Sequence, residues 1–474
     1  MKAYLQMLDE GEIEKIHEAT LRLLEETGVS IGSDDVVAHL ASKGAKAIGN
    51  NVRFPREMTL EALEMLNHEI CYAGFDDAHD FTFPRSMTTF NSTGGYSPFY
   101  YPEPGKPRRM STAEDLALIA TLANELDGID YFWPIVMPTE EMNTPIQELQ
   151  ALNIAARHTG KHIECSCSSP EAATWQVRMA EALVGGSDEL RKRPIISALS
   201  SPTTPLGFEK ATAEAYPILA KAGIPINSMD VPIAGSTAPA TFAGAITLTN
   251  AEQIATLIIA KSYNPKAPVV YSCDVCSADM KTGNLSYINP DYDLFSMANG
   301  DMAHRYGYPC CVGQGSNERK AFTSVDAFMN NVQRIAINQM TRTDLACWIG
   351  STDDALATSI WDIMLDVEAL KYAKGYCKTL AVDDETLALD AIHEAGPHGE
   401  FMSSPHTFEH FRDELNMLAP EKSYLFDDDG RDYIHKAYDK GKEIIANATP
   451  YEIEENLASE LDSIMATARK EIEK

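Results

Sequence analysis

Residues 195–229, IISALSSPTTPLGFEKATAEAYPILAKAGIPINSM, contain the pattern that decides the fold. A short apolar run at Ile195–Leu199 ends in Ser and Pro, a helical stretch follows at Phe208–Ala222, and a second apolar run begins at Pro225. Short apolar runs that alternate with longer helical segments are typical of parallel strands joined by crossover helices. This stretch therefore predicts one strand–helix–strand unit of an α/β fold.

The same alternation continues on both sides of this unit and gives eight strand candidates. Eight strand–helix pairs are the number that a TIM (β/α)8 barrel requires. We therefore expect a barrel at residues 86–376, an α-rich N-terminal extension at residues 1–85, and a mixed, helical C-terminal region at residues 377–474 that packs on the barrel. The predicted strands are Met87–Ser92, Tyr131–Met137, His162–Ser166, Ile195–Leu199, Pro225–Met229, Val269–Ser272, Cys310–Gly313 and Leu345–Ile349.

Composition excludes several classes of partner. The net charge of −31 over 474 residues repels phosphate backbones and anionic lipid headgroups, so we expect neither nucleic acid nor a membrane as a partner. The N-terminus lacks a basic segment followed by an apolar one, and nine cysteines form an odd set in a long chain. These features predict a cytoplasmic protein with reduced thiols. Helix-rich barrels of this size often associate, so a homo-oligomer is a further expectation.

Aromatic and acidic residues follow the predicted strands, where the active site of a TIM barrel lies. No Lys or Arg occurs among these residues before Arg319. Aromatic faces and nearby carboxylates stabilise a cation, in particular a quaternary ammonium. A plain packing role inside the barrel is the alternative for each aromatic residue. The candidates for an aromatic cage are Tyr96, Trp133, Tyr271 and Trp348, and the electrostatic candidates are Glu164, Asp230 and Asp274.

Several long segments, in order along nearly the whole chain, resemble the trimethylamine methyltransferase family, the corrinoid-dependent enzymes of anaerobic methylamine metabolism. They include FNSTGGYSPFYYPEPGKPRRMSTAEDL at 90–116, AGIPINSMDVPIAGSTAPATFAGAI at 222–246 and RYGYPCCVGQGSN at 305–317. Others lie at 12–31, 156–173, 264–283 and 396–411. The resemblance implies a TIM barrel, a small methylated amine as methyl donor, and the Co(I) state of a corrinoid (cobalamin) as acceptor, delivered by a cognate corrinoid protein.

The founding trimethylamine enzymes of this family carry pyrrolysine in the barrel, whereas this chain contains only the twenty common residues. It is similar to the branch without pyrrolysine, which resembles methyltransferases for quaternary amines such as glycine betaine, proline betaine and carnitine. A quaternary nitrogen departs as a neutral amine, so the barrel needs to supply only orientation and electrostatics. The resemblance therefore implies a quaternary amine as substrate, and we expect no bound metal.

A betaine also carries a carboxylate, which requires hydrogen-bond donors at the other end of the pocket. The candidates are Gln314, Ser316, Asn317, Arg319 and His406. His406, in the family-like stretch Ser404-Pro405-His406-Thr407, lies outside the predicted barrel and could close over its mouth. A structural role is the alternative for this histidine.

Two other functions stay open at this point. Cys165-x-Cys167 and Cys273-x-x-Cys276 place thiols at strand ends, which suggests a zinc-dependent thiol or corrinoid methyltransferase. Neither cysteine pair has a matching second pair or histidine at the usual spacing, and free cysteines are common small core residues. The second alternative is a non-catalytic barrel whose aromatic mouth binds a betaine.

Overall fold

The computed structural model describes residues 4–85, 88–283, 285–287, 289–313, 325–376, 380–415, 423–426 and 429–474. Before the barrel, the chain forms three helices and five short strands. These are α1 (Glu10–Arg22), β1 (Val29–Ile31), α2 (Asp34–Ser42), β2 (Lys46–Ile48), β3 (Asn51–Arg53), α3 (Arg56–Glu64), β4 (Ile70–Tyr72) and β5 (Phe81–Phe83). Helix α1 begins with a capping box, in which Asp9 accepts from the Glu12 backbone and the Glu12 side chain accepts from the Asp9 backbone.

The barrel region contains alternating strands and helices. Its elements are β6 (Phe90–Thr93), β7 (Phe99–Tyr100), β8 (Arg109–Met110), α4 (Ala113–Glu125), α5 (Thr144–Ala156), β9 (Ile163–Ser166), α6 (Pro170–Val184), α7 (Ser187–Lys192), β10 (Ile196–Leu199), β11 (Gly207–Phe208), α8 (Lys210–Ala222), β12 (Ile226–Asp230), β13 (Ile233–Ala234), α9 (Phe242–Tyr263), β14 (Val269–Cys273), β15 (Cys276–Ala278), β16 (Leu285–Ser286), α10 (Pro290–Tyr306), β17 (Cys310–Val312), α11 (Val325–Met340), β18 (Leu345–Ile349), β19 (Ala357–Thr358) and α12 (Ile360–Tyr376).

Seven parallel strands form the central sheet, in the order β6-β18-β17-β14-β12-β10-β9. The predicted strand at Tyr131–Met137 is reduced to a short segment that joins the two edges of this sheet. Tyr131 makes a parallel bridge to Ser92 of β6, and Phe132 makes one to Ile163 of β9. The ring is therefore closed through this eighth segment, which confirms the predicted TIM barrel.

Side chains inside the barrel form a core separate from the one between the strands and the helices. Phe90, Val270, Met229 and Cys347 belong to the inner cluster. Their strand neighbours, such as Val269 and Tyr271, belong to the larger cluster that includes the helices. This division follows from the alternation of side chains between the two faces of a strand.

The hairpin β4–β5 supplies aromatic residues to the inner cluster beside Phe90, which begins strand β6. The Tyr72 ring lies 4.9 Å from Phe83, 5.6 Å from Tyr131 and 3.9 Å from His162, measured between ring centroids. Such dense aromatic packing fills the N-terminal end of the barrel. The C-terminal end is therefore the place for a cavity, as in other TIM barrels.

Helix α9 is the one helix among the described residues that is long and apolar enough to cross a membrane. It spans 22 residues, and 78% of its most apolar window is buried in the fold. Such burial is what the core helix of a large barrel shows, because its surface packs on strands β12 and β14 and on neighbouring helices.

Among the described residues after the barrel, four α-helices occur: α13 (Leu389–Ala395), α14 (Pro405–Glu414), α15 (Tyr433–Asn447) and α16 (Glu455–Ile472). Helix α15 approaches α12 so closely at Gly441 that a Cβ there would lie 2.2 Å from the Ile360 side chain. Helix α16 packs on α5 and α6, and Asp462 pairs with Arg157 at 2.7 Å. These two helices therefore cover the outer side of the barrel.

Candidate active site

A cavity of ≈ 170 Å³ lies at the C-terminal mouth of the barrel. Its walls come from the ends of β6, β12, β14 and β18, from the eighth segment, and from two loops. The lining residues are Gly94, Gly95, Trp133, Met229, Val231, Asp274, Tyr287, Cys347, Ser351 and Ala355. Within the described residues, no Lys or Arg lines this cavity. The cavity thus combines aromatic and apolar surface with one carboxyl group.

Trp133 is the predicted cage residue that lies in the cavity wall. Its indole Nε1 donates to Ser166 Oγ at 3.1 Å, and its backbone N donates to Ser92 Oγ at 2.9 Å. Thr93 Oγ1 donates to the Trp133 carbonyl at 2.6 Å. These three hydrogen bonds tie Trp133 to strands β6 and β9, so a ligand meets an indole held in place.

Asp274, which follows β14, supplies the carboxyl group of the cavity. Tyr292 OH donates to Asp274 Oδ1 at 2.5 Å, and Tyr287 is a second hydrogen-bond partner. Burial raises the pKa of Asp274, whereas Tyr292, the Arg334 guanidinium and Tyr287 act in the opposite direction. Burial is the largest of these influences, and the donors favour the ionised form of Asp274 against it.

Gly94 and Gly95 allow two strands to meet at the cavity. A Cβ on Gly94 would lie 2.5 Å from the Cys347 carbonyl oxygen and 3.0 Å from the Trp133 ring. Gly95 has φ of 130°, a conformation that other residues rarely adopt. The glycines therefore leave this side of the cavity walled by backbone, without projecting side chains.

Tyr96 lies next to the cavity and packs against both core clusters. Its φ of 46° is in the left-handed region, and its hydroxyl is buried with no hydrogen-bond partner among the described residues. Burial, with a smaller contribution from Glu148, raises the pKa of Tyr96. A strained backbone and an unpaired hydroxyl at a barrel mouth are typical of functional positions. Tyr96 therefore stays a candidate.

Tyr271 and Trp348 do not reach the cavity. Tyr271 OH donates to Asn299 Oδ1 at 3.3 Å, and its ring makes an edge contact with Tyr308. Trp348 belongs to the same outer cluster, on the helix side of β18. Their strand neighbours point inward instead, so the alternation of side chains turns both aromatic residues toward the helices. The structure thus corrects the expectation that four aromatic residues converge.

Asp230 also faces the helices. It ends β12, and its side chain lies beside Glu252 of α9. Met229 and Val231, on either side of it in the sequence, line the cavity instead. Asp230 is therefore separated from the cavity by its own strand and does not contribute the electrostatic role expected of it.

Glu164 lies inside the barrel, in a closed polar layer rather than in the cavity wall. Both of its carboxyl oxygens accept from Asn227 Nδ2, at 3.1 and 3.0 Å. Ser197 Oγ and Tyr72 OH donate to Oε2 at 3.2 and 3.3 Å. Burial raises the pKa of Glu164 to about 7, against the influence of these three donors. Glu164 does not line the cavity, so any electrostatic influence on a ligand there would act across the barrel interior.

The residues expected to bind a carboxylate divide into two groups. Gln314, Ser316, Asn317 and Arg319 lie outside the described residues. His406 belongs to α14 in the C-terminal region, where its Nε2 lies 3.3 Å from the Glu385 carbonyl oxygen. It lines a surface pocket with His410 and not the barrel cavity. The described structure therefore gives His406 no place in the active site.

The cysteines at the strand ends are buried thiols. Burial raises the pKa of Cys165, Cys167 and Cys273 well above the ordinary value, which disfavours the thiolate that zinc requires. Among the described residues, one group of three potential metal ligands lies within metal-binding distance. It consists of Glu14, His17 and Glu18 and contains no cysteine. Its members already contact Arg305, Tyr306 and Arg56.

Sequence reasoning missed Tyr287, Ser351 and Ala355, which reach the cavity from loops. Tyr287 follows the small strand β16 and contacts Arg334, whose Nη2 donates to the Tyr287 carbonyl at 2.5 Å. The Arg334 guanidinium also lies 5.2 Å from the centre of the Tyr292 ring. These loops have no strand pattern, so the rule that selects residues at strand ends does not reach them. The aromatic Tyr287 in the segment after β14 was the one sequence feature that could have drawn attention.

The fold and the position of the cavity define the class of this protein: a TIM barrel with a candidate site at its C-terminal mouth. The model of the trimethylamine methyltransferase (MTTB) family matches residues 1–473, and the chain belongs to that family. It is 26% identical to the glycine betaine methyltransferase of Desulfitobacterium hafniense (strain Y51), over 98% of each chain. The chain is a methyltransferase, since its relatives throughout this family carry that activity in their names.

Two further relatives extend the comparison. The trimethylamine methyltransferase MttB of Desulfitobacterium hafniense (strain DSM 10664 / DCB-2) is 24% identical, over 97% of this chain and 93% of its own. The crystal structure of the Methanosarcina barkeri monomethylamine methyltransferase superposes with a TM-score of 0.53 at 10% identity, covering 99% of this chain and 88% of that one. The structural likeness concerns the fold alone.

Proposed function

We propose that this methyltransferase takes a methyl group from a quaternary amine of the betaine type and transfers it to Co(I) of a corrinoid on a cognate partner protein. The observation that carries the proposal is the cavity at the barrel mouth, which is lined by both Trp133 and Asp274. An indole and a carboxylate stabilise a quaternary ammonium by cation–π and charge attraction. The 26% identical relative named for glycine betaine adds support.

The residues of the mouth fit a corrinoid that approaches from outside. Gly94 and Gly95 leave one wall without side chains, so a flat macrocycle would meet backbone there. When bound, the corrinoid supplies the nucleophile. The chain's own residues bind the ammonium, orient one N-methyl group toward the mouth and keep water from the apolar wall. No proton transfer is needed, because the departing amine is neutral.

The carboxylate end of a betaine requires donors. Gln314, Ser316, Asn317 and Arg319 remain our proposal for this role, since they follow the C-terminal end of β17 in the sequence. Ser351, which lines the cavity, is a further hydroxyl donor in reach of a bound ligand. We further propose a cytoplasmic location and self-association. Exposed apolar side chains on α13 and α14, Leu389, Ile392 and Phe408, support self-association.

The test is a substrate panel. Purified protein receives reduced corrinoid with glycine betaine, proline betaine, carnitine, γ-butyrobetaine, choline or trimethylamine, and cobalt methylation is followed by absorbance. We expect turnover of at least one betaine and none of trimethylamine. Turnover of trimethylamine alone would overturn the proposal, and turnover of choline without any betaine would remove the carboxylate-binding role.

The same preparation separates the two alternative functions. A zinc enzyme would contain stoichiometric zinc and lose activity together with it on chelation, whereas the proposed reaction is insensitive to chelation of zinc. A pure binding protein would bind a betaine without any methylation of cobalt. The buried, protonated thiols at the strand ends argue against the zinc enzyme.

A further inference from the structure

Two buried carboxyl groups face each other on the helix side of the barrel. Asp230 ends strand β12, and Glu252 lies in the middle of α9; both side chains are fully buried. Burial and the nearby Glu252 raise the pKa of Asp230, and Glu252 in turn is in hydrogen-bonding contact with Asp230 and Thr204. Three side chains from a strand, a helix and the loop between β10 and β11 therefore gather their oxygens in one place.

Most of these oxygens have no hydrogen bond. Both carboxyl oxygens of Asp230, Oε2 of Glu252 and Oγ1 of Thr204 are buried without a partner among the described residues. Ser200 Oγ, just beyond strand β10, is a further buried oxygen of this kind. The other Glu252 oxygen, Oε1, accepts from the Leu206 backbone N at 2.6 Å. The carboxyls of Asp230 and Glu252 lie within hydrogen-bonding reach of each other, and Thr204 lies within reach of Glu252, so the space between these oxygens holds a shared proton or a bound cation.

Two other buried carboxyls of the barrel, those of Glu164 and Asp344, have hydrogen-bond donors. Glu164 accepts from Asn227, Ser197 and Tyr72, and Asp344 accepts from the Cys310 backbone N at 2.8 Å. The largest influences on Asp230 are its burial and Glu252, and no basic side chain is among them. Two ionised carboxylates side by side in a buried place are costly, so this pair requires either a shared proton or a cation between its members.

We propose that Asp230, Glu252 and Thr204 bind a hard divalent cation, Ca²⁺ or Mg²⁺. Carboxylate and hydroxyl oxygens are the ligands that these ions prefer, whereas zinc favours nitrogen and sulfur. Within the described residues, no His or Cys joins this pair within ligand distance. Two carboxylates and a divalent ion leave no net charge in the buried site, and the ion's remaining ligands are waters or backbone carbonyls.

The cation would hold the mouth of the barrel together. It joins the loop of Thr204 and Leu206 to helix α9 and to the end of β12. Strand β12 continues directly into Val231, which lines the cavity, and the Asp230 carbonyl accepts from the Asp274 backbone N at 2.9 Å. The site is thus structural, but it is one strand away from the proposed substrate-binding residues.

The test uses the full chain stripped with a chelator and exchanged into a potassium buffer. Calcium or magnesium is then added, the melting temperature is measured, and bound metal is counted by elemental analysis after gel filtration. We expect one Ca²⁺ or Mg²⁺ per chain and a rise of roughly 3 °C at a hundredfold excess over the dissociation constant. Asp230→Asn and Glu252→Gln should lose both the bound ion and the rise.

Asp344→Asn is the matched control, since it removes a buried carboxyl elsewhere in the barrel and should keep both. If the carboxyl variants fail to fold, Thr204→Val removes one ligand oxygen at similar volume and should weaken cation affinity several-fold. Equal melting temperatures of the chain with and without either ion, and no bound metal, would show that a shared proton bridges the pair and overturn the proposal. Stoichiometric zinc in place of calcium or magnesium would overturn it as well.

Discussion

Asp230 ends strand β12, and Asp274 directly follows the neighbouring strand β14. A backbone hydrogen bond of 2.9 Å joins the two residues, yet their surroundings differ. Asp274 faces the cavity, where two tyrosines and the Arg334 guanidinium favour its ionised form. Asp230 faces α9, where another carboxyl opposes its ionisation. The comparison shows that being at a strand end does not make a residue part of the site. The face of the strand decides it.

The same division separates the predicted aromatic residues. Trp133 points into the barrel mouth, whereas Tyr271 and Trp348 point to the helices. An inward aromatic residue has room for a ligand beside it, and an outward one fills the space between a strand and a helix. Substitutions on the two faces should therefore affect different quantities: catalysis on the inner face and stability on the outer one.

The largest effect is expected for Asp274→Asn, which keeps the size of the side chain and removes its charge. Loss of an electrostatic group that faces the substrate cation should lower kcat/KM for the quaternary amine about 100-fold. The measurement is the initial rate of cobalt methylation as a function of substrate concentration. Tyr292→Phe is the matched control, because it removes one donor to Asp274 but keeps the carboxyl, and it should cost only several-fold. A variant Asp274→Asn as active as the wild type would break the comparison.

A second effect concerns Glu164, which is inward but closed off from the cavity. The pKa of Glu164 in the folded chain is raised from 4.5 to about 7. Between pH 4.5 and pH 7, the folded state therefore keeps a proton on Glu164, whereas the unfolded state has lost it. Stability therefore falls as pH rises through this window, by about 3 kcal/mol for this group alone. Glu164→Gln has no such proton to lose.

We accordingly expect the free energy of unfolding of Glu164→Gln, relative to the wild type, to increase between pH 4.5 and 7 and to level off above. Denaturant unfolding of both proteins at pH 5 and pH 8 measures it. Glu148→Gln serves as the comparison, since burial also raises the pKa of Glu148 to about 7. A relative stability that is independent of pH would mean that Glu164 is not a buried, protonated group.

Trp133→Ala should have a smaller effect on catalysis than the change at Asp274. An aromatic face contributes roughly 0.5–2 kcal/mol to the binding of a quaternary ammonium, so kcat/KM should fall by up to about 30-fold. Trp133→Phe keeps a ring and should recover part of this loss. Ser166→Ala removes only the hydrogen bond to the indole Nε1 and should change little. Equal losses in the alanine and phenylalanine variants would argue against a role of the ring in binding.

The strands could be predicted because short apolar runs end in Gly, Ser, Pro or Asp. Strand β18 has the predicted bounds Leu345–Ile349, and β10 begins one residue later than predicted. The predicted Tyr131–Met137 strand is reduced to isolated bridges at Tyr131, Phe132 and Val136, because Pro134 between them has no N–H to continue the ladder.

The direction of the side chains could not be predicted in the same way. In β14, Val-Val-Tyr-Ser-Cys is buried on both faces, so the sequence shows no polar alternation that would separate inward Val270 from outward Tyr271. The loop residues Tyr287 and Ser351 reach the cavity only through the tertiary fold. The end of the barrel was therefore predictable, whereas among the residues that line the cavity only Trp133 and Asp274 were named from the sequence as candidates.

The smallest effect is expected for Tyr271→Phe, which tests the outer face directly. The substitution removes a hydroxyl whose one hydrogen bond, to Asn299, is 3.3 Å long, and it leaves the ring packed on Tyr308. Stability should fall by about 1 kcal/mol, because the Asn299 oxygen loses a donor in a buried place. KM and kcat for the quaternary amine should stay at the wild-type values, since no atom of this side chain borders the cavity. Denaturant unfolding and steady-state kinetics on the same preparation distinguish the two quantities. A rise in KM without a change in stability would return Tyr271 to the aromatic cage and place the substrate on the opposite side of strand β14.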